Sequence, residues 1–519
     1  MSTARALRAA AAPTWRTHAT AAVAATAALY LVLLVHGAGE TLLALTLLLI
    51  TALALWTYTS ARTHALRYLF PGIATAIVFV IFPMLYTIGI GFTNYSSNNL
   101  LEHDRVRAYL LEESVPDAAS LRHFTLHAEG SQFRLHLRTP DGAQTWTTAA
   151  IALDAPESTP AAARELPLAP AAAAPGAALP IKAVVEHLPA LKALKLREPD
   201  GATLQLTGLR EFMHLQPLYT AAADGALTDR LTGTVYRADM ATGFYTSTDG
   251  DRLQPGFRVG VGWRHYATIF SEGKFREPFL SVFVWTVTFS ALTVVFSAAL
   301  GLLLAVLLNW EALPFKSAYR LVLFLPYAVP GFISILVFKG LFNQNLGEIN
   351  LILHGLFGIR PAWFSDPFLA KCMLLFVNVW LGFPYMMVLC SGLIKSIPAD
   401  LYEASAVVGA GPWTNFRRIT LPLILKPLTP LLISAFAFNF NNFVLISLLT
   451  GGRPDQLDTT LPAGTTDILV SYTWRIAFQD SGQQFGLASA ISTVIFLIVA
   501  AVTLVQMRFT RIADPAGTR

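Results

Sequence analysis

Long apolar segments almost without charged residues constrain the fold of this chain more than any other feature of its sequence. A helix needs about 20 predominantly apolar residues to cross the hydrocarbon core of a bilayer. Segments close to that length lie at 18–36, 41–58, 69–92, 280–308, 318–341, 370–393, 421–449 and 485–507. Only 13% of the residues are charged, which is about half the usual share of a soluble domain. The sequence therefore predicts an all-α polytopic membrane protein with eight transmembrane helices.

The distribution of Lys and Arg predicts how these helices are oriented, because cytoplasmic loops are enriched in both residues. Both are frequent before residue 18, in the 59–68, 309–320 and 394–420 loops and after residue 507, and scarce in the 37–40, 342–369 and 450–484 loops. We therefore expect both termini in the cytoplasm. A cleaved signal peptide is the alternative for the first segment, because arginines precede it.

The connection between the third and fourth segments is long enough to form a domain of its own. Within it, Phe133, Leu135 and Leu137 alternate with polar residues, which is the period of a half-buried strand. A Pro-Asp-Gly turn follows at 140–142 and recurs at 199–201, so we expect a β-rich domain on the outer side. The predicted parts are a tail with the first two helices (1–68), the third helix (69–92), the inserted domain (93–279), a helical core (280–507) and a C-terminal tail (508–519).

The sequence lacks the motifs of common catalytic and metal centres. It contains no G-x-x-x-x-G-K-[ST] phosphate loop, no H-E-x-x-H pair and no G-x-S-x-G elbow. The middles of the predicted helices also lack ionisable residues, which proton-coupled carriers usually place inside the membrane. We therefore expect no enzyme, no catalytic residues, no metal and no bound cofactor, and an uncharged solute. The net charge of +5 follows from the basic loops and does not indicate nucleic-acid binding.

The loop at about 396–422 has the pattern of a surface helix in a soluble protein. Pro398 can start a helix, and Gly409 can end it in a left-handed conformation. Pro412 can then start a second short helix that leads into the seventh segment. An amphipathic helix that lies on the lipid surface is the alternative.

The motif E-A-S-x(3)-G-A in this loop, followed by I-T-L-P, resembles the coupling loop of ABC importer permeases, the binding-protein-dependent transport family. The stretches LPYAVPGFISILVFKGLFNQNLGEIN, NVWLGFPYMM and FAFNFNNFVLI are similar to the branch that imports maltose and maltodextrins. The resemblance implies the fold of a type I ABC importer permease. It also implies that the loop couples to a separate ATPase subunit. The matching residues are Glu403, Ala404, Ser405 and Gly409.

The resemblance further implies a location and a set of partners. The chain would be a permease subunit of the bacterial inner membrane that receives maltose or maltodextrins from a periplasmic maltose-binding protein. A MalG-type permease would pair with it among the membrane lipids. Two copies of a MalK-type ATPase would supply the energy, with ATP and Mg²⁺ used in those subunits. The inserted domain would be periplasmic and immunoglobulin-like.

Two predicted helices carry polar and aromatic residues at unusual depth. Asn378, Gly382 and Tyr385 share one face of the sixth helix, and the seventh carries a similar group. Amides can donate to and accept from sugar hydroxyls, although asparagines that only join helices are the alternative. By the resemblance, relatives often carry serine where this chain has Gly331. The resemblance implies that the sugar site is lined by Asn378, Leu381, Gly382, Tyr385, Phe438, Asn439 and Asn442, with Gly331 at one corner.

Three other functions fit parts of the sequence. The same machinery could import another disaccharide such as trehalose or sucrose. A membrane-anchored sugar receptor would explain the inserted domain but not the coupling loop. A proton symporter would explain the apolar segments but not their uncharged middles.

Overall fold

The computed structural model describes residues 15–153, 164–171, 174, 176–310, 312–457, 459, 462–479 and 482–512. The chain forms two compact units: a helical unit made of Met1–Ser97 and Gly260–Arg519, and a β-rich unit, Asn98–Val259. The β-rich unit lies inside the predicted insert, 93–279, while residues 93–97 and 260–279 belong to the helical unit. Residues 1–14 and 513–519 of the predicted tails lie outside the described residues.

The helices are numbered in chain order. They are α1 (Trp15–Gly37), α2 (Thr41–Thr59), α3 (Leu66–Ile90), α4 (His103–Glu112), α5 (Ile181–Glu186), α6 (Leu188–Lys192), α7 (Arg264–Ser271), α8 (Gly273–Asn309), α9 (Lys316–Ala328), α10 (Gly331–Leu341), α11 (Glu348–Phe357), α12 (Pro367–Lys395), α13 (Ala399–Val407), α14 (Pro412–Phe440), α15 (Phe443–Leu449), α16 (Leu469–Phe478) and α17 (Phe485–Ile512).

The predicted apolar segments coincide with helices of the helical unit. Among the described residues, six helices are long and apolar enough to cross a membrane by themselves, namely α1, α2, α3, α8, α12 and α14. Helices α9 and α10 meet that condition together but are bent by 90° at their junction, and α17 is apolar over Phe485–Ala501. The helical polytopic fold is therefore confirmed. The predicted number of eight transmembrane helices is not reached among the described residues, where six helices meet the condition, or seven if the bent pair is one span.

The bend between α9 and α10 has a local cause. Pro330 has no N–H to donate to the helical ladder, and the residue before a proline is disfavoured in the helical region. Val329 accordingly has extended backbone angles, φ −87° and ψ 131°. The chain leaves α9 at this point and begins α10 in a new direction at Gly331.

The predicted 421–449 helix is also two helices. Helix α14 ends at Phe440, and α15 begins after Asn442, whose side chain accepts a hydrogen bond from the N–H of Leu445. An asparagine in this capping position satisfies one of the free N–H groups of a helix start. The break therefore places two asparagines, Asn441 and Asn442, outside regular helix.

Helices α8 and α12 pack against each other through small residues. A Cβ atom on Gly301 of α8 would lie 2.6 Å from Cβ of Met386 on α12. A Cβ atom on Gly382 of α12 would lie 2.9 Å from Oγ of Ser297 on α8. Small residues at such crossings let two membrane helices approach closely. At 37 residues, α8 is about 55 Å long, which exceeds the bilayer core of about 30 Å.

The loop between α15 and α16 is held by a buried ion pair. The Asp467 side chain is fully buried, and its carboxylate lies 2.8 Å from Nη1 of Arg475. The carboxylate also accepts hydrogen bonds from the N–H of Gly464 and from the hydroxyl of Ser471. Burial raises the pKa of the Asp467 carboxyl, and the Arg475 guanidinium opposes that effect. These bonds fix the loop that follows α15.

The β-rich unit contains two sheets. Its strands are β1 (Ser114–Pro116), β2 (Arg122–Glu129), β3 (Gln132–Arg138), β4 (Thr145–Thr147), β5 (Arg164–Pro167), β6 (Ala169–Pro170), β7 (Leu194–Arg197), β8 (Thr203–Gly208), β9 (Glu211–Pro217), β10 (Tyr219–Ala221), β11 (Leu227–Asp229), β12 (Val235–Asp239) and β13 (Phe244–Thr246). One sheet has the order β5-β7-β8-β9-β2-β3-β4-β6 with β1 on β9, and the other has the order β10-β11-β12-β13. The named strands pair in antiparallel fashion except for the parallel pair β5 and β7.

The predicted alternation in this unit is confirmed in the β2–β3 hairpin. Leu137 pairs with Phe124 and Leu135 pairs with Leu126, and all four side chains are buried in one apolar core. The predicted turn forms at Gly142, which has φ 71°, a conformation that glycine adopts without steric cost. The β-rich inserted domain is therefore confirmed, and its immunoglobulin-like arrangement stays a prediction.

Candidate functional site: an amide-lined cavity

A cavity of about 580 Å³ lies among α8, the α9–α10 bend, α12, α14 and α15. This volume is in the range of pockets that hold small molecules. All eight residues of the predicted sugar site lie on its wall: Gly331, Asn378, Leu381, Gly382, Tyr385, Phe438, Asn439 and Asn442. The structure therefore brings together residues that the sequence places in three separate segments. Their role in binding stays a prediction.

Three asparagines form a hydrogen-bonded group on this wall. Asn378 donates from Nδ2 to Oδ1 of Asn439 over 2.7 Å, and Asn442 donates from Nδ2 to Oδ1 of Asn378 over 3.2 Å. Asn378 also donates to Oγ1 of Thr293 on α8 over 3.2 Å, and Asn439 donates to the carbonyl of Ala435. The group, which we call the amide triad, thus joins α8, α12, α14 and the start of α15.

The amide triad has hydrogen-bonding capacity beyond these contacts. A side-chain amide offers two N–H donors and two acceptor positions on its oxygen. The bonds within the triad and to Thr293 and Ala435 use both donors of Asn378 but only one donor each of Asn439 and Asn442. The three asparagines join helices, and they also retain donors and acceptors at the cavity wall. Both interpretations of the asparagines, as residues that only join helices and as residues that bind a sugar, therefore stay predictions.

Two aromatic rings complete the wall. Tyr385 is 42% exposed and Phe438 is 72% exposed in the isolated chain. Flat apolar ring faces can pack against the C–H face of a sugar ring, while the amides address its hydroxyls. None of the described residues that line the cavity carries a charge. The cavity is chemically suited to a neutral, hydroxylated molecule.

Gly331 lies at the bend where α10 begins. A Cβ atom built on it would meet no atom within 4 Å. Its position on the cavity wall therefore has room for the serine that the resemblance leads us to expect. With glycine, the wall lacks the hydroxyl of that serine. Gly382 differs, because a Cβ atom there would press on Ser297.

Sequence reasoning missed four hydroxyl residues of the cavity, Tyr327, Ser434 and, on α8, Thr293 and Ser297. The two on α8 are the most deeply buried. Both are 2% exposed. A signal for them was present, because the buried hydroxyl residues of α8 recur at spacings of four, three and four residues along one helical face. These residues are Thr286, Ser290, Thr293 and Ser297. The side of α8 that meets α12, however, only becomes known from the packing.

The predicted coupling loop forms an exposed elbow. Helix α13 ends at a turn in which Gly409 has φ 72°, and α14 then begins at Pro412. Val407 and Val408 are 87% and 80% exposed. The predicted second short helix is not separate, because it continues through Phe440 as α14.

The four predicted coupling residues lie on this elbow. Glu403, Ala404 and Gly409 are exposed, and Ser405 is half-buried with its hydroxyl donating to the carbonyl of Tyr402. The hydroxyl of Tyr402 lies 2.9 Å from Oγ1 of Thr420. The elbow is therefore fastened to α14 through Thr420, and its outer residues are exposed.

No cluster of three or more His, Cys, Asp or Glu side chains that could hold a metal occurs in the described part of the chain. The two cysteines, Cys372 and Cys390, are both free thiols.

Comparisons with known proteins match both units. The binding-protein-dependent transport system inner membrane component family matches residues 297–516, and the MalF P2 domain of the maltose transport system permease matches residues 101–262. The maltose/maltodextrin transport system permease protein MalF of Vibrio parahaemolyticus is 50% identical over 493 residues, 93% of each chain. MalF of Escherichia coli K12 is 47% identical over 490 residues, 93% of this chain and 94% of that protein.

A solved structure also resembles part of the chain. It is the crystal structure of a bacterial ABC transporter involved in the import of the acidic polysaccharide alginate. The likeness has a TM-score of 0.43 and 23% sequence identity, and it covers 48% of this chain and 83% of that chain.

Proposed function

The chain belongs to the MalF family of maltose/maltodextrin permeases in ABC importers, and we propose that it passes maltose and maltodextrins across the membrane through the amide-lined cavity. One observation carries this proposal. The residues that the sequence singles out on the predicted sixth and seventh helices line a single cavity together with Gly331.

The chemistry of the wall supports a neutral glucoside as the cargo. The unused donors of Asn439 and Asn442 and the unused acceptor positions of the amide triad can exchange hydrogen bonds with sugar hydroxyls. Tyr385 and Phe438 offer apolar faces for the pyranose ring. A charged cargo would be desolvated without a counter-charge among the described lining residues, which is unfavourable.

The chain supplies the pathway, and a partner supplies the energy. We propose that the importer contains two copies of a MalK-type ATPase, which use ATP and Mg²⁺, and that one copy binds the exposed elbow of this chain at Glu403, Ala404, Ser405 and Gly409. Movement of the elbow would then reach the cavity directly, because α14 begins at the elbow and carries Phe438 and Asn439 in its last turn before it ends at Phe440. This chain needs no catalytic residue or cofactor in that scheme.

The remaining partners follow from the open wall and the inserted domain. We propose that a MalG-type permease closes the side of the cavity where the ring of Phe438 is exposed. A periplasmic maltose-binding protein delivers the sugar on the side of the inserted domain. We propose, from the basic residues of the predicted cytoplasmic loops, that both termini lie in the cytoplasm and that the protein belongs to the bacterial inner membrane.

The test replaces one amide of the cavity and one beside it. We expect Asn439→Ala to abolish ATP-driven uptake of labelled maltose in proteoliposomes that contain the assembled importer and its binding protein. Assembly should persist, because Asn378 keeps its bond to Thr293. Asn441→Ala is the matched control, since its amide bonds only to the carbonyl of Ala437 and lies outside the cavity wall. Normal uptake by the Asn439 variant would remove the site assignment.

Family membership also bears on the alternative functions. Identity of 47–50% to curated permeases over 93% of the chain favours a permease over a receptor or a symporter. Trehalose and sucrose remain the competing cargoes. Each unlabelled sugar is tested for inhibition of labelled maltose uptake. If trehalose or sucrose inhibits more strongly than unlabelled maltose does, the substrate is reassigned and the cavity assignment stands.

A further inference from the structure

The buried hydroxyl groups of α8 divide into two kinds. Thr286 and Ser290 each donate to the carbonyl four residues earlier over 2.7 Å, which is the usual partner for a hydroxyl inside a helix. Thr293 instead accepts a hydrogen bond from Asn378 of the amide triad. The hydroxyl of Ser297 is buried and has no hydrogen-bond partner in the described part of the chain.

Ser297 stands on the wall of the cavity. It lies one helical turn beyond Thr293, which is about 6 Å along the axis of α8. The residue that covers it from α12 is Gly382, and a Cβ atom there would come within 2.9 Å of its oxygen. Because Gly382 has no side chain, it leaves this hydroxyl uncovered by any side chain of its own at the cavity wall, which both residues line.

An unpaired buried hydroxyl is costly. Leaving such a group unsatisfied costs about 1–3 kcal/mol, and rotation toward the carbonyl of the preceding turn would normally remove that cost. Ser290 shows that bonding pattern on the same helix. The different orientation of Ser297, on the one stretch of α8 that lines the cavity, keeps a donor and two acceptor positions available there.

We propose that Ser297 is a specificity-determining residue that hydrogen-bonds one hydroxyl of the sugar as it passes the amide triad. This inference rests on the proposed function. Gly382 is its structural complement, because any side chain there would displace the serine oxygen. In this scheme the importer selects against a disaccharide that lacks the one hydroxyl that Ser297 addresses.

The test compares Ser297→Ala with Ser290→Ala in the assembled importer. Uptake of maltose and of a panel of monodeoxymaltoses, each lacking one hydroxyl, is measured in proteoliposomes with the binding protein. We expect the native importer to take up one analogue about tenfold less efficiently than maltose. The Ser297→Ala importer should no longer prefer maltose over this analogue. It should take up both sugars about as inefficiently as the native importer takes up the analogue. Ser290→Ala should match the native importer, since its hydroxyl bonds only to its own helix.

The outcomes separate the two proposals. An unchanged order of preference in Ser297→Ala would overturn the specificity role, even if the rate fell for all sugars alike. The second variant is Ser297→Cys, whose thiol is slightly larger than the hydroxyl and is only a weak donor. If the alanine variant assembles poorly, the cysteine variant should show the same loss of preference. Absence of maltose uptake by the native importer would overturn the proposed function together with this inference.

Discussion

Asn378 is the residue on which the candidate site depends most. It donates to Asn439 and Thr293 and accepts from Asn442, so that one side chain connects four helices. It is 5% exposed, and an unsatisfied amide at such a position would be unfavourable. The residue therefore supports the shape of the cavity as well as its chemistry.

Gly331 and Gly382 provide a prediction at the same scale. We expect Gly331→Ser to leave assembly unchanged and to alter the KM for maltodextrins, because the new side chain enters open space on the cavity wall. Gly382→Ser should lower maltose uptake strongly, because its Cβ atom would lie 2.9 Å from the oxygen of Ser297. Uptake kinetics and thermal stability in detergent check both variants. Equal effects of the two substitutions would contradict the described shape of the wall.

At the scale of the elements, the elbow between α13 and α14 connects the outside of the helical unit with the cavity. Gly409 takes a left-handed conformation there, and its N–H donates to the carbonyl of Ala406. Since α14 runs from this elbow to the amide triad, a displacement of α13 has a direct mechanical route to Asn439.

We predict that Gly409→Pro abolishes co-purification of the ATPase with this chain. Proline cannot adopt a positive φ and has no N–H for the bond to Ala406, so the elbow must change shape. Gly411→Ala is the matched control, because Gly411 has an ordinary extended backbone and open space around it. Retention of the ATPase by the proline variant, with the elbow surface unchanged, would contradict the coupling assignment.

At the scale of the whole molecule, the sequence predicts the class of fold correctly, and the residues that it predicts for the site line one cavity. Apolar length predicts membrane helices irrespective of their packing, and helical spacing places Asn378, Gly382 and Tyr385 on one face. Neither signal could predict the break after Phe440 or the 90° turn at Pro330. Neither indicates which way α8 faces, so Ser297 became visible only when α8 was seen against α12.

The central claim is that the sugar crosses the membrane between the amide triad and the two aromatic rings. The most direct measurement is photocrosslinking with a diazirine-bearing maltose analogue during ATP-driven uptake, followed by mass-spectrometric location of the label in this chain. The account predicts label on Tyr385 or Phe438 that excess maltose suppresses. The contradicting result is that the label which excess maltose suppresses lies only on residues remote from the cavity.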